Sequence, residues 1–285
     1  MTAWGSAMWL GLWLSLAAWG DEPAMPVAVD PPAVGHVVFI HGLYLNGRCW
    51  AGWQERFEDA GYTTEAPDWP GHAGDPADLR AQVDPALESL RLSEVVAYYR
   101  AIVQAEPEPP VLVGHSMGGL VVELLLAEGL GRAGVAVHPA PPKGVLTLRH
   151  DFLKSNGPSL RGGDAPLLLT PDQFAYAFGN GVSRAESDRV YEAFVVPESR
   201  VAARGPLHVD GRLAFDAPHA PLLILGGDAD HTIPAVLPRA TSRRYPEASG
   251  ETELEILPGR THLTLLEPGW EAVADLTLAW LDARR

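Results

Sequence analysis

The sequence is poor in cysteine and lysine, and acidic residues outnumber basic ones. Cys49 is the single cysteine, so the chain cannot form an intrachain disulfide or a metal site built from several thiolates. Its neighbours Arg48 and Trp50 favour a buried small residue at a helix start over a catalytic thiol. Lys143 and Lys154 are the only lysines, and the formal net charge is −15. Because an acidic surface repels phosphate, the composition argues against nucleic acid as a partner.

Charged side chains are also missing from the start of the chain. The first is Asp21, and the first basic residue is Arg48. Residues 1–33 are interpreted as an apolar leader or flexible N-terminal segment. Within them, Ala3 to Trp19 resembles the apolar part of a signal peptide but lacks its positive residues. The stretch is slightly short for a membrane span, and Met25 offers a later start. We expect a cytoplasmic enzyme with a dispensable leader; secretion or export to the periplasm and membrane anchoring through these residues stay as alternatives.

Apolar runs alternate with helical patterns along the rest of the chain. This alternation predicts βα units and a mostly parallel central sheet flanked by helices, an α/β fold. The predicted strands are residues 37–40, 62–66, 111–113, 135–138, 221–225 and 254–257. The predicted helices are residues 50–60, 92–105, 117–128 and 270–281.

One segment interrupts the alternation. Residues 139–217 contain prolines, glycines and helical pieces but no convincing strand. They are interpreted as a helical cap or lid inserted into a core made of residues 34–138 and 218–285. Loops at the carboxyl ends of parallel strands are where ligands bind, which makes this insertion a candidate lid over a site.

The first chemical motif is Gly114-His115-Ser116-Met117-Gly118, a G-x-S-x-G sequence. It follows an apolar strand directly and precedes a helix directly, as the strained turn that carries a nucleophilic serine requires. The two glycines allow strand and helix to approach closely around Ser116. A serine that merely caps the helix is the alternative, but capping does not explain the flanking glycines.

A serine nucleophile needs a base and an acid. His262 lies between the last strand and the last helix, so its loop opens at the same sheet edge as Ser116. The acid comes from the loop after the strand at 221–225, which offers Asp228 and Asp230. Asp230 lies deeper in that loop, four residues before Pro234, and is the choice; Asp228 then orients the loop or stays solvated.

Other histidines receive structural roles or stay open. His115 is expected to pack inside, and His41 to form hydrogen bonds beside the loop after the first strand. His72 and His231 either line the site or lie on the surface. The same loop after His41-Gly42 can present the N–H of Leu43 beside that of Met117, and together the two amides would face a developing oxyanion.

Taken together, these residues resemble the α/β-hydrolase superfamily, in particular small bacterial serine esterases and cofactor-free, haloperoxidase-like hydrolases. The resemblance spans residues 34–281 and depends on five motifs: His41-Gly42-Leu43, Asp68-Trp69-Pro70-Gly71-His72, Gly114-His115-Ser116-Met117-Gly118-Gly119, Gly227-Asp228-Ala229-Asp230 with Pro234, and His262 ahead of Glu267-Pro268-Gly269-Trp270. It implies Ser116, Asp230 and His262 as triad, Leu43 and Met117 as oxyanion hole, and a helical cap. Little sequence precedes Val37, so the family's first antiparallel strands are expected to be short or absent.

The resemblance also narrows the chemistry. Dehalogenases and epoxide hydrolases of this fold carry aspartate where this chain has Ser116. What remains is hydrolysis of a small-molecule carboxylic ester, lactone or thioester through an acyl-enzyme, without a metal or organic cofactor. The alternatives are a carbon–carbon hydrolase or lyase with the same triad, and a ligand-binding protein without turnover. Expected pocket residues are Tyr44, Trp69, Phe152, Phe174 and Phe178, each of which could instead be plain core or lid packing.

Overall fold

The structure, a computed structural model, describes residues 34–284. The predicted leader, residues 1–33, lies outside them. The described residues form six strands, which are, in chain order, β1 His36–Ile40, β2 Thr63–Glu65, β3 Val111–His115, β4 Ala133–Val137, β5 Leu222–Gly227 and β6 Thr252–Leu257. They pair in the order β2-β1-β3-β4-β5-β6, and every pairing is parallel. The predicted parallel sheet is therefore present, with β1 as the first described strand.

Ten α-helices accompany these strands in the described residues. They are α1 Ala51–Asp59, α2 Pro76–Ala81, α3 Leu92–Ala105, α4 Met117–Ala127, α5 His150–Leu160, α6 Pro171–Ala177, α7 Arg184–Phe194, α8 Arg200–Arg204, α9 Val236–Ser242 and α10 Trp270–Asp282. Short 3-10 helices occupy Gly47–Trp50, Pro85–Glu88, Gly205–Leu207, Val209–Gly211 and Glu247–Ser249. The bounds predicted from helical spacing agree with those of α3 at both ends, and with those of α4 and α10 to within one residue.

Helix α2 was missed, although the sequence marks its start. The Asp75 side chain accepts a hydrogen bond from the N–H of Ala77, and Pro76 occupies the first helical position, where its missing N–H costs nothing. The helix has only six residues and buries only Pro76. A helix this short and exposed has no apolar periodicity to detect.

The sheet divides the core into two layers because successive strand residues point to opposite faces. Val38, Ile40 and Leu112 face a cluster that includes buried residues of α3 and α4. Val37 and Phe39 face the opposite cluster, which includes side chains from α1 and α10. Burial of each large apolar side chain contributes about 1.5–3 kcal/mol, so these two layers hold the strand ends in fixed positions.

The edge strand β6 begins two residues before its predicted start. Its residues alternate between partly buried and exposed positions up to the buried Leu257. Thr252 and Glu253 open the strand, and their polar side chains hid it from a search for a continuous apolar run. Strands β3 and β4 are buried at every position, as predicted for the middle of a parallel sheet.

The segment between β4 and β5 contains helices α5 to α8. Its only ladder contact is an isolated antiparallel bridge between Leu167 and Glu198. The absence of strands from this part of the chain therefore agrees with a helical insertion, while the cap boundaries at 139 and 217 stay a prediction. Within residues 34–284, no helix combines the length and the apolar character needed to cross a membrane.

Candidate active site

Ser116 lies on a strained turn between β3 and α4. Its backbone has φ 56° and ψ −118°, a conformation that costs a non-glycine residue free energy. The turn is possible because Gly114 and Gly118 lack side chains. A Cβ atom on Gly114 would lie 2.2 Å from the Gly118 carbonyl oxygen, and one on Gly118 would lie 2.1 Å from that of Ile40. Both glycines are thus required by close approach of the backbone.

His262 connects Ser116 to Asp230 by two hydrogen bonds. Its Nε2 lies 2.9 Å from the Ser116 hydroxyl, and its Nδ1 lies 2.7 Å from Oδ2 of Asp230. The loops after β3, β5 and β6 supply the three residues, because the carboxyl ends of parallel strands meet at one sheet edge. All three are buried. The structure thus brings together the three residues that the sequence analysis selected.

The Asp230 carboxylate is held on both oxygens. Oδ1 accepts the backbone N–H groups of Thr232 and Ile233, each at 2.7 Å. Burial by itself would raise the pKa of Asp230, but attraction to His262 and hydrogen bonds from His138 and His262 outweigh burial and lower the pKa. The group is therefore an ionised carboxylate at neutral pH.

Asp228 faces away from this chain of hydrogen bonds. Its exposed carboxylate accepts the Gly259 backbone N–H at 2.6 Å and so ties the loop after β5 to the turn after β6. Of the two aspartates that the sequence left open, Asp230 contacts His262, while Asp228 has the loop-orienting position.

Two backbone N–H groups near Ser116 are free to bind an anion. Neither the N–H of Leu43 nor that of Met117 has an acceptor among residues 34–284. Gly42 brings the first loop close to the nucleophile, since a Cβ atom there would lie 2.8 Å from Ser116 Cβ. Met117 is the first residue of α4, where the helix dipole adds positive potential.

His138 was missed as a site residue. It follows β4 with φ 47°, outside the strand that was predicted to include it. Its Nδ1 lies 2.8 Å from Oδ2 of Asp230, the same oxygen that His262 contacts. No motif marks it, because only the placement of β4 beside β5 brings it to Asp230.

Glu198 was missed as well. It lies between α7 and α8, is fully buried, and accepts the Tyr44 N–H at 3.2 Å and its neighbour Ser199's N–H at 2.6 Å. His72 Nε2 lies 3.1 Å from the same oxygen as the Tyr44 N–H. A single glutamate in a segment of irregular sequence gives no signal of burial.

His41 and His115 have the structural roles expected of them. His41 Nε2 accepts the Trp69 N–H at 3.2 Å, and burial next to His72 lowers its pKa well below the usual value. His115 Nε2 lies 3.0 Å from the carbonyl oxygen of His262. Burial, with repulsion from a protonated His262, lowers the pKa of His115, which keeps it neutral beside the base.

The expectation that His72 lines the site or lies on the surface is wrong. His72 neither lines the cavity nor lies on the surface, because it is buried between Trp69 and Glu198. His231 does not line the cavity; it is half-buried, with Nδ1 3.0 Å from the Tyr176 carbonyl oxygen. Cys49 is buried, and burial raises the pKa of its thiol, so it has the packing position favoured over a catalytic one.

An apolar cavity opens beside Ser116. It encloses about 750 Å³ of space, part of it open to solvent. Of the five expected pocket residues, Tyr44, Phe152 and Phe178 line it. Helices α5, α6 and α8 supply part of its wall, so the insertion between β4 and β5 contributes to the cavity.

Trp69 and Phe174 were wrong as pocket residues, because both are buried behind the wall. The Trp69 indole N–H donates to His72 Nε2 at 3.1 Å, and its ring packs on His41 with centroids 4.1 Å apart. Phe174 stacks on the far side of Phe178, with ring centroids 4.9 Å apart. Aromatic residues in loops and lids do not reveal from sequence which layer they occupy.

Two groups of side chains in the described residues have the spacing of metal ligands. They are His138, Asp230 and His262, and, partly exposed, His36, Glu65 and Glu106. In the first group both Nδ1 atoms meet one carboxylate oxygen at hydrogen-bond distance, which accounts for the cluster without an ion. The expectation of no metal or cofactor stays a prediction.

Comparisons with known proteins agree with this architecture. The profile of the alpha/beta hydrolase family matches residues 37–276, and no curated protein sequence shows a significant match. A monoacylglycerol lipase from Paleococcus ferrophilus is 22% identical, with a TM-score of 0.63 over 89% of this chain and 96% of its own. A methylesterase from Arabidopsis is 15% identical, with a TM-score of 0.61 over 86% of this chain and 98% of its own. A pyrethroid hydrolase from Sphingobium faniae is 19% identical, with a TM-score of 0.60 over 87% of this chain and 98% of its own. At these identities the likeness shows the fold alone, and the predicted α/β-hydrolase fold is confirmed.

Proposed function

Because the chain belongs to the alpha/beta hydrolase family, we propose that it is a serine hydrolase that cleaves small-molecule carboxylic esters. Ser116 is the nucleophile, His262 the base and Asp230 the acid of the triad. The observation that carries the proposal is the chain of hydrogen bonds of 2.9 and 2.7 Å from the Ser116 hydroxyl to Asp230, beside an apolar cavity.

The first half of the reaction forms an acyl-enzyme. Ser116 Oγ attacks the ester carbonyl carbon while its proton passes to Nε2 of His262. Asp230 stabilises the imidazolium at Nδ1 and holds it in the productive orientation. When the tetrahedral intermediate collapses, the carbon–oxygen bond to the alcohol breaks and His262 returns the proton to the leaving alkoxide.

The second half releases the acid. Water loses a proton to His262 and attacks the acyl carbon, and the bond to Ser116 Oγ breaks as His262 returns the proton to it. The negative oxygen in each tetrahedral intermediate is stabilised by the N–H groups of Leu43 and Met117, which have no other acceptor in the described part of the chain. These steps need no metal or organic cofactor.

The cavity favours an uncharged, moderately hydrophobic substrate. None of its lining residues carries a formal charge, so a bound carboxylate or ammonium group would lose its hydration without gaining a partner of opposite charge. Tyr44, Phe152 and Phe178 offer aromatic surface for an acyl or aryl group. Lactones and thioesters share the same carbonyl chemistry and are included in the proposed substrate class. Two similar structures bear the names lipase and methylesterase, which denote ester hydrolysis in those proteins.

The test is a panel of p-nitrophenyl esters of increasing acyl length, run on the wild type and on Ser116→Ala. We expect turnover by the wild type and a loss of at least about a thousandfold in Ser116→Ala. The matched control is Ser187→Ala, which removes a buried serine hydroxyl elsewhere and should keep activity. A fluorophosphonate probe should label the wild type at Ser116 alone.

Three results would overturn the proposal. One is full activity of the Ser116→Ala variant, which would place the nucleophile elsewhere. The second is a wild-type protein that neither turns over an ester nor reacts with the probe, which would favour a binding role. The third is a protein that reacts with the probe but hydrolyses no ester, which would favour carbon–carbon bond chemistry with the same triad.

A further inference from the structure

We propose that His138 is a positioning residue that acts on the base through Asp230 and sets the pH at which the enzyme becomes active. Two imidazoles share one carboxylate oxygen: Nδ1 of His138 lies 2.8 Å and Nδ1 of His262 lies 2.7 Å from Oδ2 of Asp230. The side chains of all three residues are fully buried.

The carboxylate accepts its full complement of hydrogen bonds. Oδ1 takes the N–H groups of Thr232 and Ile233, and Oδ2 takes the two imidazoles. A carboxylate offers about four lone-pair sites, so no site is left for water. His138 therefore helps to fix the orientation of Asp230 at Oδ2, while the backbone N–H groups of Thr232 and Ile233 hold it at Oδ1.

The surroundings of His138 specify its protonation. Its Nδ1 must carry the hydrogen, because Asp230 is ionised and can only accept. Its Nε2 is buried and has no partner among residues 34–284. A proton there would be a buried donor without an acceptor, whereas the hydrogen on Nδ1 is bound by the carboxylate. His138 therefore donates one hydrogen bond to Asp230 through Nδ1.

This donated bond weakens the pull of Asp230 on the base. A carboxylate that shares its negative charge with a second donor attracts a proton on His262 less strongly. Within residues 34–284, the other titratable ring that faces the pair is His115, whose centroid lies 4.7 Å from that of His262 and 6.4 Å from that of His138. Burial lowers the pKa of His115, so it adds no charge to the pair. With His138 in place, the base is free to accept the serine proton at lower pH.

The backbone conformation at position 138 is one that few residue types adopt easily. His138 has φ 47°, in the left-handed region where asparagine and histidine are enriched among non-glycine residues. It does not line the substrate cavity, so substrate contact does not account for it.

The kinetic test compares His138→Asn with His138→Leu, and its readout rests on the proposed hydrolase function. Asparagine suits the positive φ and places an N–H group near the position of Nδ1, whereas leucine has similar branching and no donor. In His138→Leu we expect the acid limb of the kcat/KM profile to move up by about one pH unit, with KM little changed. His138→Asn should restore most of the shift. The control His208→Leu replaces an exposed histidine and should follow the wild-type profile.

Equal profiles for His138→Leu and the wild type would overturn the proposal, and so would an equal shift in both His138 variants. A measurement on the wild-type protein keeps the test valid if His138→Leu fails to fold. Nitrogen-15 spectra of histidine-labelled protein should show His138 as a neutral imidazole with its hydrogen on Nδ1, assigned by its loss in His138→Asn. A hydrogen on Nε2 instead would refute the inference without bearing on whether the chain hydrolyses esters.

Discussion

The Glu198 carboxylate accepts a hydrogen bond from the Tyr44 backbone N–H at 3.2 Å, across 154 positions of sequence. Tyr44 has φ 66° and directly follows Leu43, whose N–H is one of the two proposed oxyanion donors. The Tyr44 carbonyl oxygen accepts the Val196 N–H at 2.9 Å, so Val196 and Glu198 together hold this loop at two points. The insertion between β4 and β5 therefore holds part of the proposed catalytic machinery in place.

Replacement of Glu198 by glutamine should lower both stability and turnover. The amide would set an NH₂ group against the Tyr44 or Ser199 N–H and leave a buried donor without an acceptor, which costs about 1–3 kcal/mol. For a chain of this size the melting temperature should fall by several degrees, and kcat should fall about tenfold as the Leu43 amide loses its position. Thermal unfolding and ester kinetics measure the two effects.

The control for Glu198 is Glu192→Gln. Glu192 lies in α7 of the same insertion, but its side chain is 71% exposed and pairs with Arg80 on the surface. A surface ion pair contributes about 0–1 kcal/mol, so this variant should behave as the wild type. Equal effects of the two substitutions would contradict a specific role for Glu198.

Substitution of the two neighbouring aspartates should separate their roles. Asp230→Asn removes the charge that stabilises the His262 imidazolium and disturbs its tautomer, so kcat should fall by about 10³–10⁴-fold. Asp228→Asn keeps an oxygen that can accept the Gly259 N–H, so kcat should change by less than about threefold. Steady-state kinetics on one activated ester suffices; a larger loss in the Asp228 variant would reverse the assignment.

Glu123 should make the folded chain less stable at alkaline pH. It is buried in α4, where its Oε1 accepts the Tyr245 hydroxyl at 3.1 Å, and burial raises its pKa from 4.5 to about 8. The folded state therefore holds the proton more tightly than the unfolded chain. The resulting stabilisation is complete below pH 4.5 and is lost as the pH rises to 8. Each pKa unit corresponds to about 1.4 kcal/mol, so the loss reaches several kcal/mol.

Glu123→Gln should remove this part of the pH dependence. The melting temperature of the variant should fall less between pH 5 and about 9 than that of the wild type. Glu108→Gln, in an exposed loop, should leave the wild-type slope unchanged. Parallel curves for the Glu123 variant and the wild type would show that this carboxyl does not titrate in the buried form.

Gly118→Ala should disrupt the turn that carries Ser116. The added Cβ atom would lie 2.1 Å from the Ile40 carbonyl oxygen, so β1 and α4 would have to separate. Such overpacking in a core typically costs about 1–3 kcal/mol or more, and activity should fall with it. Gly163→Ala places a Cβ atom in open space at ordinary φ and is the matched control. Thermal unfolding that shows no difference between the two variants would be inconsistent with the described turn.

The sequence determined the long, regular elements of the core and the order of the proposed triad. Buried strands such as β3 and helices such as α3 carry their periodicity within a few residues, so local physics suffices to locate them. Ser116 stood out because its turn demands glycine on both sides. His262 and the loop containing Asp230 stood out because each follows a strand whose end must lie at the same edge of a parallel sheet.

Only the tertiary structure decided which side chains meet across distant segments. The packing of the loops and the insertion decides which aspartate, Asp228 or Asp230, contacts His262. It also buries Trp69 and Phe174 behind the cavity wall and brings Glu198 to Tyr44. His138 reaches Asp230 only because β4 pairs with β5. Such contacts join residues with no regular spacing, and a sequence pattern records periodicity along one element but not the distance between two.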